Sequence, residues 1–124
     1  MISTGLAIFI GGGLGAVLRF AISQLCKNTF GLVLWGTLCV NLIGCFAMGY
    51  LYGLTLLKAN ALPHLLRVFL TVGFLGGLTT FSTFQLEIFE TFKSGKIGFA
   101  LFYLILSCLL GLLLTTLGYI LSKA

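Results

Sequence analysis

The chain has 124 residues, of which 60% are hydrophobic and only 7% are charged. A soluble domain usually carries about a quarter charged residues, so this composition excludes an ordinary water-soluble surface. The net charge of +5 comes from singly scattered Lys and Arg residues without a basic run, and it gives no indication of a nucleic-acid partner.

The first apolar stretch covers residues 3–25 and contains one charge, Arg19, near its end. A helix needs about 20 apolar residues to cross a bilayer core, so the stretch predicts a membrane span. It lacks a positively charged start, which argues against a signal peptide. Gly11 and Gly15 stand four residues apart, a spacing typical of helices that pack closely in lipid.

The second stretch, residues 32–57, carries no charge and repeats small residues at Cys45, Gly49 and Gly53. The same stretch contains Asn41, whose amide offers two donors without a charge. Polar residues within a span usually face the interior of the bundle. Asn41 is therefore a candidate contact for an anion, and a hydrogen bond between helices is the competing interpretation.

The third stretch, residues 65–92, has charges only at its edges and contains Gly73, Gly76 and Gly77 followed by four hydroxyl residues. Each glycine weakens a helix by about 1 kcal/mol relative to Ala, and the hydroxyls compete for backbone hydrogen bonds. We predict a helix broken at this glycine-rich centre, with free carbonyl oxygens at Gly76 and Thr79. Broken helices at this depth often bind ions, although a packing kink without a ligand is the alternative.

Two phenylalanines follow the glycines, Phe81 and Phe84, and their spacing places them on one helix face. An aromatic ring has a positive edge, so two ring edges can line an anion path without a full charge. Ordinary packing is the alternative, since the chain has twelve phenylalanines. Glu87 and Glu90 lie late in the span, where an interfacial pairing with nearby lysines is the plain interpretation, favoured for Glu90.

The fourth stretch, residues 97–121, is again uncharged and carries a row of mostly polar residues at four-residue steps. The row consists of Tyr103, Ser107, Gly111 and Thr115. On a helix, successive members of such a row are rotated by about 40° around the helix axis, so they still lie along one face. Its hydroxyls can pass a small anion from donor to donor, or they can bond to their own backbone.

Lys and Arg are balanced between the two sides of the predicted four-span chain. One side holds Lys58, Arg67 and Lys123, and the other holds Lys27, Lys93 and Lys96, with Arg19 as a fourth if it reaches that face. An imbalance normally sets orientation. Its near absence leaves two interpretations: a weak topology fixed by other cues, or copies that insert both ways and pair antiparallel.

An enzyme is not expected, because the four cysteines lack paired metal-ligand spacing and His64 is the only histidine. Two other classes remain as alternatives to a channel. A small multidrug-resistance-type antiporter is also short and four-spanning, but it requires a carboxylate in the first span, where this chain has Arg19 and no acid. A subunit of a larger membrane assembly would leave the Phe-Ser-Thr-Phe segment unexplained.

The chain resembles the CrcB/Fluc family of fluoride channels over essentially its whole length. The resemblance rests on residues 11–20 (Gly-Gly-Gly-Leu-Gly-Ala-Val-Leu-Arg-Phe), on residues 36–44 around Asn41, and on residues 73–84, which end in Thr-Thr-Phe-Ser-Thr-Phe. It implies one all-α membrane domain, residues 1–124, that exports fluoride passively across a prokaryotic plasma membrane. It also implies an antiparallel, dual-topology homodimer with two pores, although a close paralogue would equally fit as the second subunit.

The resemblance further implies roles for individual residues. Phe81 and Phe84 line the pore with ring edges, and Asn41 also contacts it. The backbone carbonyls of Gly76 and Thr79 hold a central sodium ion between the subunits.

Other residues that the resemblance places along the anion path lie on the first, third and fourth spans. Arg19 lies near a pore vestibule. The remaining pathway residues are Ser82, Thr83, Glu87, Tyr103, Ser107 and Thr115. Gly111 departs from some relatives, which carry a hydroxyl residue there, so the polar row lacks one hydroxyl at this position.

Overall fold

The computed structural model describes residues 1–57 and 62–124, and Lys58, one of the loop charges counted above, lies outside these residues. The helices are α1 (Ile2–Phe30), α2 (Leu34–Leu57), α3 (His64–Val68), a π-helical segment (Phe69–Leu75), α4 (Gly76–Leu78), α5 (Phe81–Lys93) and α6 (Ile97–Leu121). Four helices, the third running over His64–Lys93, are long and apolar enough to cross a membrane. The predicted all-helical, four-span class is confirmed for these residues.

The first helix is longer than the predicted first span. It ends at Gly31, whose φ of 77° gives the left-handed cap that glycine adopts without strain. No helix breaker stands between residue 25 and that glycine, so Lys27 lies in the helix and not in a connection. Arg19 therefore lies eleven residues, or about 16 Å, before the end of the helix, within the span and not at its edge.

The glycines of α1 bring its backbone against the third helix. A Cβ built on Gly15 would lie 2.1 Å from the carbonyl oxygen of Phe74, and one on Gly77 would lie 2.3 Å from that of Gly12. Real Cβ contacts are never so short, so each position accepts only glycine at this helix separation. The four-residue spacing in the first span thus serves contact within the chain.

The second helix packs in the same way against the last, over an extensive contact. A Cβ on Gly49 would lie 2.0 Å from the carbonyl oxygen of Thr115, and one on Gly118 would lie 2.2 Å from that of Phe46. The closest packing thus joins the first span to the third and the second span to the fourth.

The third helix is interrupted, as predicted, but the break does not fall on the glycines. Gly76 is helical, with φ −63° and ψ −37°. The extended residues are Thr79 (φ −85°, ψ 155°) and Thr80 (φ −149°, ψ 119°). The extended residues come just after the glycines because the glycines serve helix packing, whereas β-branched threonines accept an extended backbone readily. The preceding π-helical turn, Phe69–Leu75, is a form that is frequent at functional sites.

Two small buried clusters fix the third helix between its neighbours. One joins Phe84 and Ile88 of α5 to Tyr103 of α6 and to Leu38 of α2, and the other joins Leu75 and Leu78 to Val40. Most of the remaining large apolar side chains are exposed, as expected where lipid is the solvent. The fold therefore places the break between α2 and α6, inside the bundle.

Candidate functional site

The break in the third helix is held by the side chain of Asn41. Its Nδ2 donates to the carbonyl oxygen of Thr80 at 3.1 Å, and its Oδ1 accepts from the backbone N–H of Thr80 at 2.8 Å. One carboxamide thus satisfies both backbone groups of a residue that has left the helix. The predicted helix–helix hydrogen bond of Asn41 is present, and it braces the break.

The same rearrangement frees two carbonyl oxygens. In a continuous helix, the N–H of Thr80 would donate to Gly76 and the N–H of Thr83 would donate to Thr79. Here the first donates to Asn41, and the second donates to the hydroxyl of Thr80, the N-cap of α5, at 3.2 Å. The carbonyls predicted to bind a cation, those of Gly76 and Thr79, are therefore the two that lose their helical donors.

Arg19 reaches one of these carbonyls. Its Nη1 donates to the carbonyl oxygen of Thr79 at 3.3 Å. A charged residue inside a span is costly and is usually held by backbone carbonyls or by a polar cavity. The sequence did not indicate this contact, because Arg19 and Thr79 are 60 residues apart and no motif connects them.

A cavity of about 390 Å³ lies beside the break, between α2, the third helix and α6. It brings together six of the predicted site residues: Asn41, Thr79, Phe81, Phe84, Ser107 and Thr115. Ser82 and Thr83 are exposed and do not line it, and neither does Arg19. No acidic side chain is among the described residues of its wall.

The two phenylalanine rings differ in burial although they are neighbours. Their centroids lie 6.1 Å apart at an interplanar angle of 48°. Phe84 is 6% exposed and packs edge-on against Tyr103, with centroids 5.1 Å apart, whereas Phe81 is 73% exposed. Phe81 therefore projects from the protomer at the mouth of the cavity, where lipid or a second subunit would cover it.

Glu87 is bound by hydroxyl groups from two other helices. The Thr37 hydroxyl donates to Oε1 at 2.6 Å, and the Tyr103 hydroxyl lies 2.9 Å from Oε2. These contacts replace the interfacial lysine pairing that was the plain interpretation for Glu87. The sequence pairs Thr37 with Asn41, four residues apart on one helix face, but it did not indicate Glu87 as the partner of Thr37. A second cavity, of about 560 Å³, is lined by Glu87, Glu90 and Lys96.

The hydroxyls of the polar row on α6 do not all behave alike: some are bonded within the protein, and one has no partner in the described part of the chain. The hydroxyl of Thr115 donates to the carbonyl oxygen of Gly111 at 2.9 Å, which is a bond to its own backbone. Tyr103 is engaged with Glu87. The Oγ atom of Ser107 is buried and has no hydrogen-bond partner among the described residues. Ser107 is thus a cavity-lining residue whose hydroxyl is not committed to another group of the described chain.

The two hydrogen bonds between Asn41 and Thr80 should protect the Thr80 amide hydrogen from exchange with solvent. Replacing Asn41 by Leu removes both bonds to Thr80, so we expect exchange of the Thr80 amide hydrogen to rise roughly tenfold or more, since each bond contributes about 1 kcal/mol. Asn41→Asp keeps an acceptor for the amide and should give a smaller rise. Hydrogen exchange followed by mass spectrometry checks both variants. Equal protection in wild type and Asn41→Leu would contradict the brace.

Comparisons with known proteins agree on one family. The family model of the CrcB-like protein, Camphor Resistance (CrcB), matches residues 6–119. The "Fluoride-specific ion channel FluC" of Azotobacter vinelandii is 46% identical over 124 residues, which cover 99% of both chains. "Fluoride-specific ion channel FluC 2" of Nocardia farcinica is 48% identical over 90% of this chain and 81% of its own, and "FluC 1" of Staphylococcus aureus is 48% identical over 90% and 89%.

Proposed function

This chain belongs to the CrcB-like family, and we propose from that premise that it is a fluoride-specific ion channel of the membrane and not an enzyme. In the mechanism that we propose, fluoride leaves the cell passively across the plasma membrane of a prokaryote, which relieves fluoride toxicity. The channel works as an antiparallel pair of identical subunits, or of one subunit and a close paralogue, around a central sodium ion.

The observation that carries this proposal is the cavity beside the break. Its wall combines two aromatic residues (Phe81, Phe84), an amide residue (Asn41) and a hydroxyl residue (Ser107) without an acidic group. Fluoride holds its water tightly, so a path must replace that water with donors. Neutral donors do so weakly enough for the ion to leave again, which conduction requires. A path for cations would instead favour carboxylates.

Antiparallel pairing is supported by the charges and by the surface. Because Arg19 lies well inside α1, it adds no charge to either end of the bundle. The Lys and Arg residues at the two ends therefore remain three against three, with Lys58 counted from the sequence alone. Phe81 is exposed at the cavity mouth of the single protomer. A second copy related by a two-fold axis in the membrane plane would cover that ring and complete the path.

The sodium proposal rests on the freed carbonyls. An axis through the two breaks presents each carbonyl of Gly76 and Thr79 twice, giving four oxygens without a carboxylate, a set suited to a monovalent cation. Arg19 already contacts the Thr79 oxygen in the protomer. Sodium binding therefore requires that this oxygen accept from the guanidinium with one lone pair and coordinate the ion with the other.

Flux from liposomes tests the function. Purified protein should release trapped fluoride but retain chloride, without a proton gradient. Proton-coupled uptake of a cationic drug would favour the antiporter alternative, and neither activity would favour an assembly subunit. For the pairing, C-terminal tags in cells should report both orientations in the wild type. A single orientation, with activity intact, would contradict the antiparallel homodimer.

A further inference from the structure

The polar row of α6 has one gap, at Gly111, and a thiol of α2 covers it. A Cβ built on Gly111 would lie 3.3 Å from the Sγ atom of Cys45, which is the nearest atom around this glycine. Cys45 lines the same cavity as Ser107 and Thr115, which stand four residues before and after the gap. The thiol thus occupies the place that a short side chain on residue 111 would fill.

The hydroxyl groups around this position are mostly engaged. Thr115 donates to the carbonyl oxygen of Gly111, Thr79 donates to that of Leu75 at 2.9 Å, and Thr80 donates to Thr83. Ser107 is the exception, with a buried hydroxyl that has no partner among the described residues. Among the α6 residues that line this cavity, an ion that moves beyond Ser107 therefore meets no uncommitted hydroxyl, and the S–H of Cys45 is a polar hydrogen at the level of Gly111.

We propose that the Cys45 thiol supplies the missing donor of the polar row at Gly111, so that the anion path of this channel runs over a cysteine and is closed by modification of that cysteine. The proposal rests on the proposed fluoride-channel function. A thiol is a weaker donor than a hydroxyl, so it passes a strongly hydrated anion onward without trapping it. Cys45 and Gly111 then form a complementary pair, in which one helix contributes the group that the other lacks.

If Cys45 supplies the donor that Gly111 lacks, moving the donor from residue 45 to residue 111 should preserve fluoride efflux. Cys45→Ala should slow fluoride efflux roughly fivefold, the effect of one neutral hydrogen bond. Cys45→Ser should stay within about twofold of wild type, because a hydroxyl is the stronger donor. In the double variant Cys45→Ala/Gly111→Ser, the donor returns from the opposite helix, and efflux should recover toward the wild-type rate.

Modification of the thiol tests its place on the path directly. Methyl methanethiosulfonate is small and uncharged. Its sulfenyl sulfur is attacked by the thiolate, a new S–S bond forms, the S–S bond of the reagent breaks, methanesulfinate leaves, and the thiol proton passes to water. The methylthio group then fills the cavity at Gly111. Efflux from treated wild-type liposomes should fall about tenfold or more and should recover with a reducing agent.

Matched variants separate Cys45 from its neighbours. Cys108 lines the same cavity but is exposed, so Cys108→Ala should remain sensitive to the reagent, whereas Cys45→Ala and Cys45→Ser should be resistant. Cys45→Ala with wild-type efflux and undiminished block would overturn the proposal, as would a block that disappears only in Cys108→Ala. Wild-type protein that releases no fluoride before treatment would instead overturn the channel function itself.

Discussion

Replacing Phe81 by Ile is expected to reduce fluoride efflux from liposomes by at least tenfold while leaving the protomer folded. The ring edge is lost and an apolar side chain remains, so the change removes electrostatic stabilisation of the anion more than it changes shape. Each 1.36 kcal/mol added to a barrier slows passage about tenfold. Because Phe81 is 73% exposed in the protomer, its replacement removes little internal packing.

Phe84→Ile should also abolish efflux, but it is the less specific test. The ring is 6% exposed and packs on Tyr103, so its loss also weakens the buried cluster around α5. Phe102→Ile is the matched control, since Phe102 is an exposed phenylalanine of α6 that does not line the cavity. We expect wild-type efflux from this control. Unchanged efflux in both Phe81→Ile and Phe84→Ile would show that these rings serve ordinary packing and do not line the anion path.

The second large effect is expected from substitutions of Gly76 and Gly77, which are adjacent in sequence but differ in the space around them. A Cβ on Gly76 would meet only the carbonyl oxygen of Thr71, at 3.7 Å, an ordinary contact. One on Gly77 would meet the carbonyl oxygen of Gly12 at 2.3 Å. Gly77→Ala should therefore destabilise the protomer, by roughly 1–3 kcal/mol or more as in overpacked cores.

Gly76→Val, in contrast, should leave the protomer folded and abolish both pairing and efflux. Gly76 is exposed, and valine in a helix costs under about 1 kcal/mol relative to the best helix former. In the proposed pair, however, residue 76 faces the second copy close to the sodium site. Mass measurement in detergent and liposome flux check the two effects. A Gly76→Val dimer that exports fluoride at the full rate, or full-rate efflux after exhaustive replacement of sodium, would contradict the central-ion site.

The helices were predictable from the sequence because charge and apolar length alone identify membrane spans. The existence of a break was predictable too, from glycine and hydroxyl density around residues 73–83. Its position was not, because local propensity does not say which glycines are required for contact with α1. Gly15 and Gly77 are used for that contact, and the chain leaves the helix only at Thr79.

The sequence indicated several residues that the fold brings together, but not the contacts between them. Phe81, Phe84, Asn41 and Ser107 do line one cavity. The partners of these residues depend on distances between helices that no local pattern encodes. Asn41 binds the backbone of Thr80, 39 residues away, and Glu87 accepts from Thr37, 50 residues away. Such pairs become visible only when the fold places the helices side by side.

The order of the tight helix contacts also bears on how the chain is made. Its closest contacts join span one to span three and span two to span four, whereas a simple hairpin bundle pairs consecutive spans. During synthesis the N-terminal part emerges first. Span one therefore cannot form its closest contact until span three is made, and span two cannot do so until the last helix has left the ribosome. The first two spans thus remain without their tightest partners while the membrane insertion machinery handles them. Orientation in the membrane is then decided before either of these closest contacts can form.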